Sequence, residues 1–173
     1  MQSKPIFWGL GGGILGCSFL LIIWQQQATN YLNWAGMGSM FWVMLSIIGM
    51  AYNAPLPPRD VVAFRKLLKP VFSASLIALA ILSIFHYLLY NYIDPSMPET
   101  YRQWMMEQIK AEMNQPNAPT QKLQQELAEW QTADLKLTLG GALQRFVFFI
   151  FTAFFLAAVT TLIALNTRKW PKP

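Results

Sequence analysis

The sequence predicts an all-α polytopic membrane protein with four transmembrane helices and an extracytoplasmic helical hairpin between helices three and four. Three observations predict it. Of 173 residues, 54% are hydrophobic and only 12% are charged, where an ordinary soluble domain carries roughly 25% charged residues. Mean hydropathy is +0.32, and an aromatic content of 14% excludes a disordered chain, which needs low hydrophobicity and few rings. The 13 Lys and Arg and the 8 Asp and Glu are also segregated: none falls between Pro5 and Pro58, between Val71 and Ile93, or between Phe146 and Thr167.

A helix needs about 20 apolar residues to cross a hydrocarbon layer of about 30 Å. The first charge-free stretch is long enough for two crossings. Gln25, Gln26, Gln27, Thr29, Asn30 and Asn33 divide it, because so many polar side chains are costly in lipid. The expected spans are residues 5–24, 34–52, 71–92 and 145–166. Trp24, Trp34, Tyr90, Tyr92 and Trp170 stand near their ends, where amphipathic rings favour the headgroup layer. The first span is read as retained, since a cleaved signal peptide has an apolar region of only about 7 to 15 residues.

Residues 59–69, between spans two and three, read as a cytoplasmic amphipathic interface helix. Asp60 is a good N-cap. Val61, Phe64, Leu67 and Leu68 share one face, while Arg59, Arg65, Lys66 and Lys69 are candidate contacts for anionic lipid. Anchoring and orientation are the simpler role for this segment.

Residues 94–139 form the expected hairpin. Ser96 and Glu99 have capping-box spacing and open a helix reaching about Met113, with Tyr101, Met105, Ile109 and Met113 on one stripe. Pro116 and Pro119 break the pattern. A second helix, from Thr120 to about Thr138, carries Leu123, Leu127, Trp130 and Leu137. Two short amphipathic helices make a small core, so Trp104 and Trp130 are candidate contacts for a partner or for the membrane surface.

Charge sets the orientation. One side collects eight basic residues against Asp60, a net +7; the other collects five basic and seven acidic residues, a net −2. The positive-inside rule puts both termini in the cytoplasm. The basic excess is therefore a topology signal, and no nucleic-acid partner is expected, because Lys and Arg do not cluster with stacking aromatics on a soluble element.

Within the spans, Gly9, Gly12, Gly13 and Gly16 give overlapping G-x-x-x-G spacings suited to close helix packing. Gly36, Ser39 and Gly49 on the second span, and Ala153, Ala157 and Thr161 on the fourth, offer matching small faces. Cys17 is the single cysteine and reads as a small apolar side chain. His86 is the single histidine. With Tyr90, Asn91 and Asp94 it forms a candidate polar cluster near the outer end of span three, since ionisable groups in a span are functional candidates. A structural hydrogen bond to a neighbouring helix is the simpler role for it. No catalytic constellation, phosphate loop, metal set or cofactor site is present in the pattern, so no enzymatic activity is expected.

The run Phe85-His86-Tyr87-Leu88-Leu89-Tyr90-Asn91-Tyr92-Ile93-Asp94-Pro95, closing a span and followed by an outer helical stretch, resembles the signature of a family of small bacterial four-helix inner-membrane proteins known only as a domain of unknown function. The resemblance covers the whole layout and implies the fold, a bacterial origin and an inner-membrane location. It implies no activity. The expected function is that of a non-enzymatic accessory or assembly protein acting through its outer hairpin. The alternative is a small oligomeric transporter or lipid-handling protein that uses the polar cluster. The expected partners are the lipid bilayer together with another membrane or periplasmic protein or a second copy of the chain.

Overall fold

The computed structural model describes residues 4–57, 62–116 and 119–168. Among them are six α-helices: α1 (Pro5–Gln26), α2 (Ala28–Asn53), α3 (Ala63–Leu88), α4 (Met97–Met113), α5 (Thr120–Thr132) and α6 (Leu139–Thr167). A π-helical turn, Leu89–Ile93, continues α3. Helices α1, α2, α3 with its π turn, and α6 are long and apolar enough to cross a membrane. Four such helices are compatible with a multi-pass membrane protein.

These helices outrun the spans expected from hydropathy, because the helical backbone satisfies its own hydrogen bonds beyond the edge of the lipid. The polar stretch after Trp24 is helical except at Gln27, whose φ of −166° and ψ of 129° break α1 from α2. The interface segment also differs from expectation. From Ala63 onward it is the first two turns of α3, which continues through Pro70, and its Ala63 and Leu67 are buried in the protein. Arg59, Asp60 and Val61, like Lys169, Trp170 and Lys172 in the tail, lie outside the described residues.

Chain directions follow from specific contacts. The Trp8 ring lies against Gly49, so α1 and α2 run antiparallel, while Gly9 faces Ile77 and Gly13 faces Ile81, so α1 and α3 run parallel. Phe72 meets Phe154 edge-on at 5.3 Å, joining α3 to α6. The ends of α2 and α6 are tied by Arg168 Nη1 donating to the Ala51 carbonyl at 2.8 Å and by a 3.2 Å bond between the Tyr52 and Thr167 hydroxyls. The start of α1, the end of α2, the start of α3 and the end of α6 therefore share one end of the bundle. The π turn, α4 and α5 lie at the other.

The glycines of α1 act as packing seams. A Cβ at Gly9 would stand 2.6 Å from Ile77 Cβ and 2.8 Å from the Ala74 carbonyl, and one at Gly13 would stand 2.7 Å from Ile81 Cδ1. Gly12 and Gly16 admit Ser46 and Trp42 of α2 in the same way. Only hydrogen at these positions lets the backbones approach where lipid supplies no hydrophobic drive. Leu20, Tyr31, Val43, Ile47, Val71 and Leu82 fill the fully buried centre, with Ala153, Ala157 and Thr161 bringing α6 close.

Helices α4 and α5 touch through Tyr101 and Trp130, edge-on at 5.6 Å, and Arg102 Nη2 donates to the Ala133 carbonyl at 2.7 Å. Helix α5 stops at Thr132, short of the expected Thr138. The chain turns extended there, and the Asp134 carboxylate accepts from the Lys136 N–H at 3.1 Å. The expected capping box at Ser96 does not form. Its hydroxyl donates to Asp94 Oδ1 at 2.5 Å, and Glu99 pairs with Arg102 at 3.3 Å instead.

Candidate functional site

Three of the four predicted cluster residues leave the π turn or the turns beside it in different directions. A π turn admits one more residue per hydrogen-bonded ring than an α turn, which rotates the side chains that follow it. The Asp94 N–H closes it by donating to the Leu89 carbonyl at 2.8 Å.

His86 points into the bundle. The hydroxyl of Tyr31, a residue with no exposed surface, bonds its Nδ1, and its Nε2 lies 3.0 Å from Ser39 Oγ. The proton positions follow from the last link. The one Ser39 proton is committed to the Ala35 carbonyl at 2.5 Å, so Ser39 Oγ accepts from His86 Nε2–H, and Nδ1 accepts from Tyr31. Every donor in this chain has an acceptor, with His86 neutral.

Asn91 turns toward the segment after α5. Its Nδ2 donates to the Tyr87 carbonyl at 2.9 Å and to the Leu137 carbonyl at 3.1 Å. Asp94 turns toward α1, where Trp24 Nε1 donates to its Oδ2 at 3.1 Å. Partial burial alone would raise the Asp94 carboxyl, but the bonds from the Ser96 hydroxyl, Trp24 and the Ser96 N–H outweigh it and hold the group below the ordinary carboxylate range. Asp94 and Asn91 are thus braces that fix the far end of the bundle.

His86 and Tyr90 share the wall of a cavity of about 750 Å³. It is a partly open cleft with α2, α3 and α6 at its sides and Tyr101 with residues 134–137 at its end. Met40, Leu79, Leu82 and Phe149 line it toward the middle of the bundle, and Lys136 and Arg145 line it at the end. The structure therefore brings together two of the four predicted residues and adds Arg145, Lys136 and Tyr101. Tyr31 and Ser39 were also legible only in part. They stand about two helical turns apart on α2, two polar side chains opposite the single His.

The other candidates fall elsewhere. Trp104 and Trp130 are half-buried and both pack on Tyr101, Trp104 stacked at 5.9 Å. Arg65, Lys66 and Lys69 lie on α3 at the opposite end of the bundle from the cavity mouth. Among the described residues no group of three His, Cys, Asp or Glu is placed to hold a metal.

A family model for proteins of unknown function, DUF4199, matches residues 7–166. The chain belongs to this family. The DUF4199 match takes in all four apolar helices, the π turn and every residue of the cavity wall. The Tyr-Asn-Tyr-Ile-Asp-Pro run coincides with the π turn and its exit. No curated protein and no solved structure matches the chain.

Proposed function

We propose that this protein is a non-enzymatic, lipid-handling protein of a bacterial inner membrane, with both termini in the cytoplasm, that holds an amphiphile in the cavity between α2, α3 and α6. The +7 and −2 division of charge between the two sets of segments that flank the apolar stretches supports the orientation. The observation that carries the function is the cavity. Its volume of about 750 Å³ falls within the roughly 300 to 1,000 Å³ of ligand pockets. Its lining passes from apolar to polar along the bundle axis, as an amphiphile does.

Gly36 provides the test. It lines the cavity, and a Cβ there meets nothing within 4 Å, so Gly36→Phe puts a ring into the cavity without displacing backbone. Protein purified in mild detergent is expected to carry lipid by native mass spectrometry, and Gly36→Phe is expected to lose it while unfolding at the same temperature. A wild-type protein without lipid, or a variant that keeps it, rejects the proposal.

The accessory role through the outer α4–α5 hairpin is a second reading. It is favoured by the bracing of that region on the bundle through Asn91 and Asp94, with Arg102 tying α4 to the segment after α5, since a fixed platform binds a partner with less ordering cost than a free one. Charge reversal at the exposed Glu107, Lys110 and Glu112 of α4, none of which lines the cavity, separates the two. Loss of a co-purifying protein with retention of bound lipid would favour the platform.

A further inference from the structure

We infer that the cavity selects a phospholipid with an anionic headgroup, its phosphate held at the cavity mouth by Arg145 and Lys136; this rests on the amphiphile-binding reading above. The helix directions order the lining by depth. Met40, Leu79 and Phe149 lie toward the bundle centre, whereas Tyr90, Tyr101, Lys136 and Arg145 lie at the end. An acyl chain suits the first group and a charged head the second.

The charge at the mouth is uncompensated. On α4 and α5, Arg102 pairs with Glu99 and Lys122 with Glu126. Among the described residues neither Arg145 nor Lys136 makes an ion pair. Asp134 is the one acid on the wall, and one of its oxygens accepts from the Lys136 N–H, which leaves a net positive mouth. Ser83, Tyr90 and Tyr101 also line the wall, and their hydroxyls make no hydrogen bond among the described residues. A phosphate offers acceptors to Tyr90, Tyr101, Lys136 and Arg145, and the guanidinium can bond two of its oxygens. Since a zwitterionic lipid carries the same phosphate, the selection comes from the net positive mouth, which repels a choline ammonium and favours an uncompensated anion. Gly141, in the first turn of α6, lines the same wall, so the positive end of that helix adds to the field.

The test titrates delipidated protein in mild detergent with dioleoyl-phosphatidylglycerol or dioleoyl-phosphatidylcholine and counts bound lipid by native mass spectrometry. Wild-type protein is expected to prefer phosphatidylglycerol, and Arg145→Gln and Lys136→Gln should each reduce that preference about fivefold. Binding of phosphatidylcholine should persist in both variants. Arg65→Gln with Lys69→Gln, at the opposite end, should leave the preference intact. Equal binding of the two lipids by wild-type protein overturns the inference but leaves amphiphile binding standing, provided Gly36→Phe abolishes both. A preference that falls with Arg65→Gln and Lys69→Gln instead of Arg145→Gln also overturns it. If Gly36→Phe leaves both lipids bound, the cavity is not their site and the underlying reading fails with the inference. Lys136→Gln changes an exposed side chain, so the test does not depend on the folding of a buried variant.

Discussion

The two sides of α3 are built by opposite means. Toward α1, glycines draw the helices into contact so close that a single Cβ at Gly9 would collide with the Ala74 carbonyl. Toward α2 and α6 at the far end, the walls stand apart around a cavity of about 750 Å³, and Gly36 on that wall faces open space. Glycine thus has two uses in one bundle. At Gly9 its missing side chain is filled by a neighbouring helix, and at Gly36 it is left unfilled. What differs is the partner, since the ridge of Ile77 and Ile81 on α3 is shaped to the first and nothing is shaped to the second.

Four substitutions bear on that contrast. The largest effect is expected for Gly9→Leu, which has only backbone and a β-branched side chain to push against. Overpacking of this kind costs about 1 to 3 kcal/mol, and the upper end should appear as a lower unfolding temperature in detergent, read from tryptophan fluorescence. A fully stable Gly9→Leu would mean that the seam is loose.

Next comes His86→Ala, on the boundary between the tight and open sides. It strips the Tyr31 hydroxyl of its acceptor, and each buried polar group left unpaired costs about 1 to 3 kcal/mol. If His86 is structural, stability should fall while lipid binding, measured at a temperature where the variant is folded, stays within about twofold. Lost binding at full stability would move His86 into the ligand site.

A smaller effect belongs to Asp94→Asn, which brings an amide to the Trp24 and Ser96 bonds. A neutral bond replaces a charge-assisted one, a loss of about 1 kcal/mol. Its pH dependence is the sharper readout. A carboxyl held below its ordinary value when folded lends stability at pH above the unfolded value of 3.8, and that contribution disappears as the pH falls through the lower folded value. Thermal scans of wild-type protein should therefore drop below about pH 4 more steeply than those of Asp94→Asn.

The smallest change is expected for Gly36→Ala. With no neighbour in reach, it should raise stability by at most about 0.5 kcal/mol through helix propensity. A marked loss would show that the wall closes on itself.

The four apolar helices were legible because charge-free stretches of about 20 residues have few alternatives. The G-x-x-x-G positions were legible too, since their spacing alone puts Gly9, Gly13 and Gly16 on one face. Hydropathy could not find the true ends of α1, α2, α3 and α6, because polar residues such as Gln26 and Asn30 remain helical once outside lipid. Nor could it separate His86 from Asp94. Eight residues apart on a regular helix, they would lie close to one face, and only the π turn between them sends Asp94 to Trp24. The contacts of His86 with Tyr31 and Ser39 join residues 55 and 47 positions apart, a distance over which a single sequence carries no pairing signal.

The order of donors around His86 also bears on proton movement. Water and hydroxyl chains conduct protons only if each member can accept on one side and release on the other. Tyr31, His86 and Ser39 can do so, but the Ala35 carbonyl at the end accepts and has no proton to hand on. A proton entering at Tyr31 has no exit along this path. The polar chain inside the bundle is a dead end, a latch between α2 and α3 that holds one wall of the cavity in register.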